Sequence, residues 1–162
     1  MNYTIGIDLG GTNTRIGLVA EDGKVIEVLK FKTYEHKELN DFVETLSDNI
    51  VLIVQKHNLP KESIKVGIGA PNGNYYAGTI EQAPNLPFKG IVPLVDLLKE
   101  SLKKKSYSAE VVLTNDANAA AMGEKIYGKA KNVRDFVMIT LGTGVGSGIF
   151  VDNKLVYGKS GF

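Results

Sequence analysis

Cysteine is absent from this chain, which excludes disulfides and thiolate metal sites and fits a reducing compartment. A charge excess is missing too. Nineteen Lys and Arg against eighteen Asp and Glu leave +1, so no overall field draws nucleic acid or an anionic membrane surface, and any phosphate binding must be local. Histidine occurs only as His36 and His57, without metal-ligand spacing, and both are expected as isolated surface residues. No apolar run approaches the roughly 20 residues of a membrane helix, and Met1 to Ile5 lacks the basic-then-apolar order of a signal peptide. These absences predict a soluble, cytoplasmic protein with no nucleic-acid and no membrane partner. What is present, 43% hydrophobic and 23% charged residues in a chain of 162, suffices for one domain with a buried core.

Tyr3 to Leu9 and Thr14 to Ala20 are short apolar runs, the second closed by Glu21-Asp22-Gly23-Lys24, and they read as a strand hairpin. Val25 to Thr33 alternates imperfectly, as an edge strand does. Leu39, Phe42, Val43, Leu46, Ile50, Ile53 and Val54 recur every three or four residues, which predicts an amphipathic helix packed on that sheet. Ile64 to Gly69 is a fourth strand, stopped by Ala70-Pro71-Asn72-Gly73; residues from there to Gly90 read as irregular. Pro93 is placed as the first residue of a helix carrying Leu94, Leu97, Leu98 and Leu102. Glu110 to Leu113 is a fifth strand, and Asn115 or Asp116 caps a helix that stops at Gly128. Phe136 to Leu141 and Ile149 to Val156 are further strands around a glycine-rich segment, so that strand, Gly-Thr-Gly turn, strand occurs near both ends of the chain.

The turn Asp8-Leu9-Gly10-Gly11-Thr12-Asn13 lets backbone approach an oxyanion, with donors at Thr12 and Asn13. The Asp8 carboxylate would hold Mg2+ through water, a mode suited to a cation that keeps several waters beside nucleotide phosphates. A tight hairpin with Asx hydrogen bonds has the same sequence signature. The segment Gly142-Thr143-Gly144-Val145-Gly146-Ser147-Gly148 sets a hydroxyl between glycines, as a terminal phosphate requires, or as a strand against another backbone does. Neither segment is a P-loop or the strand, G-x-G-x-x-G, helix arrangement of a dinucleotide site. Asp116, where strand becomes helix, is placed to accept a proton from an alcohol in phosphoryl transfer, or simply to cap the helix. Asn72 and Asn85, in proline-bounded loops, both donate and accept, as sugar hydroxyls require and as turn residues also do. Tyr75 and Tyr76 are placed to stack on a sugar or to pair in a hairpin.

Five motifs in order, Ile7 to Thr12, Gly67 to Pro71, Ala83-Pro84-Asn85-Leu86-Pro87, Asn115 to Ala120 and Leu141 to Gly148, resemble the ROK group of bacterial sugar kinases, its glucokinases above all. The resemblance covers nearly the whole chain. It implies an α/β actin-like ATPase fold of the ribonuclease H-like type, with a mixed five-stranded sheet and flanking helices. Residues 1–115 would form a small lobe, and 116–162 a hinge helix with the first strands of an incomplete large lobe. It implies that Asp8, Gly10, Gly11, Thr12 and Asn13, with Gly142, Thr143 and Gly144, bind ATP with Mg2+. Asp116 would be the base toward a hexose, and Gly69, Ala70, Asn85, Asn115 and Asp116 would line the sugar, glucose being the expected substrate. The family's Glu-x-Gly-His sugar ligands, zinc motif and adenosine-binding part would follow Phe162, so the chain is expected to be an N-terminal portion, poorly active alone and able to self-associate through uncovered apolar surface. ROK repressors carry a DNA-binding element before this domain, for which a phosphate strand beginning at Tyr3 is expected to leave no room; a non-catalytic sugar-sensing or ROK-repressor-type module is the alternative. Where many members have glycine after Gly-Ala-Pro, this chain has Asn72 and then Gly73.

Overall fold

The computed structural model describes residues 2–142 and 144–162. Alternating apolar residues make β1 (Tyr3–Leu9) and β2 (Asn13–Ala20), which pair antiparallel, and β3 (Val25–Lys32) continues the meander. A 3-10 turn at Thr33–Glu35 leads into α1 (Leu39–Lys56), and β4 (Ile64–Ala70) then adds parallel to β1. Three short strands follow, β5 (Gly73–Asn74), β6 (Thr79–Glu81) and β7 (Ile91–Val92), then α2 (Leu94–Lys104). Next come β8 (Ala109–Asn115), parallel to β4, and α3 (Asp116–Ile126). The remaining strands, β9 (Phe136–Leu141), β10 (Val145–Val151) and β11 (Lys154–Leu155), form an antiparallel sheet of their own.

The main sheet runs β3-β2-β1-β4-β8, so it is mixed and β3 is an edge, as the broken alternation of that strand implied. Ile5, Ile7 and Leu9, Ile16 and Leu18, Val66 and Ile68, and Leu113 all point to one face and are buried there. That face is covered by Phe42, Leu46, Ile50 and Ile53 of α1 and by Leu94, Leu98 and Leu102 of α2. Removing this apolar surface from water, at about 25 cal/mol per Å2, is what holds helices to sheet. The opposite face is thin. Val28, Gly17, Gly6, Gly67 and Val112 pair in one row across all five strands, leaving a shallow trough between sheet and α3 with a cavity of about 660 Å3.

Four expectations are corrected by the structure. The stretch after Pro71 holds the three-stranded sheet β5-β6-β7; strands of two and three residues are too short to show alternation. The last long strand begins at Val145, inside the glycine segment, because Gly146 and Gly148 lie against Ala117 and Ala121 of α3 and a side chain would collide there. Pro93 is the cap, and α2 starts at Leu94. The histidines are paired. His36 Nδ1 lies 2.7 Å from Asp41, with its ring edge-on to Phe31, and His57 Nε2 lies 2.6 Å from Glu27.

Candidate functional site

The turn between β1 and β2 is closed by the Gly10 amide donating to the Asn13 carbonyl at 3.0 Å. Gly11 at its tip abuts the main chain of Asn85, so that a Cβ on residue 11 would meet the Asn85 carbonyl oxygen. The phosphate-type turn and the proline-bounded loop are thereby packed as one wall. That loop is anchored by buried Ala83, Leu86 and Phe88, and Phe88 tilts on Phe42 of α1 with ring centroids 5.0 Å apart. Its base is closed by the Gln82 amide donating to the Gly90 carbonyl at 2.9 Å, and Lys89 Nζ donates to the Pro84 carbonyl at 2.7 Å.

At the end of β8, Asn115 has extended geometry and its Oδ1 accepts from the Ala117 amide at 2.9 Å, a helix N-cap. The same amide donates to Asp116 Oδ1 at 2.8 Å. The cap uses the Asn115 carbonyl oxygen, so its Nδ2 is what that side chain has to offer a ligand. Asp116 stays exposed, its direction set by the first turn of α3. Gly69 lets α3 come down on β4: a Cβ there would press on Ala119 and approach the Asp116 Cα.

Asp8, Gly10, Gly11, Asn85, Asn115, Asp116, Gly142 and Gly144 line a single cleft of about 450 Å3. Gly142 and Gly144 have no atom within 4 Å of a Cβ position, and the Gly142 amide donates to the Gly144 carbonyl at 3.0 Å, so an open glycine turn faces Gly10 and Gly11 across the cleft. Four expected residues lie off it. The Thr12 carbonyl is taken by the Thr33 amide at 3.0 Å, and Asn13 opens β2 opposite Lys32. Ala70 is fully buried and presents nothing to the cleft, and Gly69 lines the neighbouring trough. Thr143 lies outside the described residues. Tyr75 stacks on Tyr157 at 4.1 Å, with Tyr76 edge-on to Tyr75, so the pair serves an aromatic cluster away from the cleft, and burial pushes the Tyr157 phenol up.

Asn72 and Thr140 also line the cleft, and Arg15, the register partner of Asp8, places Nη1 3.6 Å from Asp8 Oδ2. Arg15 was legible in principle from hairpin pairing across the turn; Thr140 had no signal beyond its place before Leu141. Among the described residues no group of three or more His, Cys, Asp or Glu is placed to hold a metal. The carboxylates at the cleft are Asp8 and Asp116, which matches a cation that takes few protein ligands and relies on water and phosphate oxygens.

A family model described as the ROK family matches residues 4–162. The chain belongs to the ROK family. Among its ROK relatives, a glucokinase of Thermotoga maritima is 35% identical over 158 residues, 97% of this chain and 47% of the relative. A xylose repressor of Caldicellulosiruptor bescii is 38% identical over 162 residues, 98% of this chain and 39% of the repressor. A solved ROK family glucokinase from Streptomyces griseus, in complex with glucose and AMPPNP, superposes with a TM-score of 0.74 at 35% identity, over 99% of this chain and 48% of that one. The chain spans about half the length of the curated relatives it matches. Its α/β fold, a mixed five-stranded sheet with helices, is the actin-like ATPase fold of the ROK kinases.

Proposed function

We propose that this chain supplies the phosphate cradle and the sugar-facing base of an ATP-dependent hexose kinase, with glucose converted to glucose 6-phosphate. The observation that carries the reading is the single cleft lined by two glycine turns, Gly10-Gly11 packed on the Asn85 main chain and Gly142 with Gly144 open, beside Asn85, Asn115 and Asp116. The Streptomyces griseus relative with glucose and AMPPNP supports it. Residues 1–115 act as the small lobe, and 116–162 begin the second, with the sugar held near their junction at Asn115-Asp116.

Main-chain amides of Gly11 and Gly144 orient the polyphosphate, those of Gly10 and Gly142 being spent on closing their own turns, and Asn85 and Asn115 orient the sugar. The sugar hydroxyl oxygen bonds to the terminal phosphorus as the bridging P–O bond to ADP breaks, and the hydroxyl proton passes to the Asp116 carboxylate. Asp8 would hold Mg2+ through water, and that ion supplies charge neutralisation on the phosphate oxygens. Likeness to the xylose repressor supports a second reading, sugar binding without transfer, in which a hexose or xylose binds and no ATP is consumed.

The test is ATP consumption with glucose, mannose, fructose and xylose. It is run on the purified chain and on a chimera completed with the second half of the Thermotoga maritima glucokinase. Asp116→Asn is expected to lower the glucose-dependent rate by about 10^2- to 10^4-fold, the usual worth of a positioned base. Turnover close to that of the unaltered chimera would remove Asp116 from the mechanism.

A further inference from the structure

Asn72 has a backbone φ of 51°. This left-handed conformation is one that glycine adopts freely and asparagine tolerates better than other side chains. What asparagine adds is its amide. Asn72 Nδ2 donates to the Glu81 carbonyl at 2.9 Å and to the Gln82 carbonyl at 3.4 Å, while the Glu81 amide donates to the Asn72 carbonyl at 3.0 Å.

Both ends of this tether matter. On one side Asn72 is held between the buried end of β4 and Gly73, whose main chain is pressed on Thr114 of β8. On the other side Gln82 is itself a non-glycine residue in the left-handed region, with φ of 52°. A strained residue of this kind persists only where its surroundings hold it, and Gln82 is the entry to the loop that carries Asn85. The far part of the loop is fixed by Leu86 and Phe88 in the core; its entry is held by the Asn72 amide together with the Gln82–Gly90 hydrogen bond.

We infer that Asn72 is a positioning residue for the sugar: its side-chain amide holds the Glu81-Gln82 entry of the loop and so sets Asn85 against Asn115 and Asp116 in the cleft. The inference rests on the hexose reading given above and deepens it. Glycine at this position would preserve the turn and release the loop entry, giving a looser sugar side without altering the phosphate side.

The experiment compares the unaltered chain with Asn72→Gly and Asn72→Asp. The first retains the left-handed backbone, and the second keeps an acceptor but loses the donor. Binding of D-glucose and of AMPPNP is measured by titration calorimetry, and amide hydrogen exchange is followed by NMR in the ligand-free protein. Both variants are expected to bind glucose about five- to tenfold more weakly, the worth of a lost neutral hydrogen bond. AMPPNP affinity should stay within about twofold, since the glycine turns are untouched. Exchange of the Gln82 amide should accelerate, while amides of β1 and α3 keep their rates. Glucose affinity equal to that of the unaltered chain in Asn72→Gly overturns the inference, and so does unchanged exchange at Gln82. An unaltered chain that binds AMPPNP but no glucose overturns the hexose reading itself and takes this inference with it.

Discussion

A methyl group at position 11 would meet the Asn85 carbonyl oxygen, whereas at position 67 it would meet nothing within 4 Å. These two glycines therefore answer the same substitution with opposite signs. Gly11→Ala forces either the turn or the loop to shift and is expected to destabilise the fold by about 1–3 kcal/mol. Gly67→Ala, in a strand outside the left-handed region, removes freedom from the unfolded chain and is expected to stabilise by about 0.4–1 kcal/mol. Urea denaturation of the pair checks both, and equal shifts would mean that the Gly11 contact carries no weight. The same reasoning explains what was and was not legible at this scale. Asp8, Asn115 and Asp116 stand out because polar residues at strand ends, next to glycine or a helix start, have few other uses. Asn72 stands out only as a turn asparagine that could face a sugar; its left-handed φ and its reach to residues 81 and 82 depend on a hairpin that no local pattern announces.

Among elements, β3 is held to the end of α1 by one carboxylate. Glu27 accepts from Lys56 at 2.6 Å and sits 2.6 Å from His57, and the hydrogen bonds from Lys56 and then His57 hold its carboxyl below the usual 4.5. A carboxylate lowered in this way contributes stability that is fully present above its unfolded value, and the contribution is lost as pH falls through the lower folded value. Thermal melts from pH 6 down to pH 3 should therefore show an acid limb beginning near 4.5. Glu27→Gln should flatten that limb while leaving the melting temperature at pH 8 and above only modestly reduced, because the pair is near solvent. An acid limb of unchanged slope would place the acid sensitivity elsewhere, with Glu44, lowered by Lys105 and Ser101, as the next group to replace. Elements long enough to repeat their pattern were legible from residues alone: α1 buries Phe42, Leu46, Ile50 and Ile53 in the order its spacing implies. β5, β6 and β7 were not, and the first part of β10, Val145 to Gly148, was read as a glycine turn because its inward positions there are glycines matched to alanines on α3 rather than apolar side chains.

At the scale of the whole molecule, the second sheet is covered on one face only. Gly146 and Gly148 seat it on α3, while Val137, Ile139 and Leu141 of β9 and Val145, Ile149 and Val151 of β10 stand exposed, Leu141 at 81% and Val145 at 79%. Contiguous apolar surface of this kind drives association, so sedimentation velocity should show mass rising with concentration, and Ile139→Lys with Val145→Glu should return the chain to a monomer. A monomer at all concentrations before substitution would show that this face is tolerated in water. The contact of Gly11 with the Asn85 main chain has a consequence for descent as well as for folding. Because the β1–β2 turn meets the loop at the Asn85 main chain, an insertion between residues 83 and 89 would have to be matched at the turn. On the hexose reading proposed above, a lineage changing its sugar would be steered to single side chains such as those at 72 and 85.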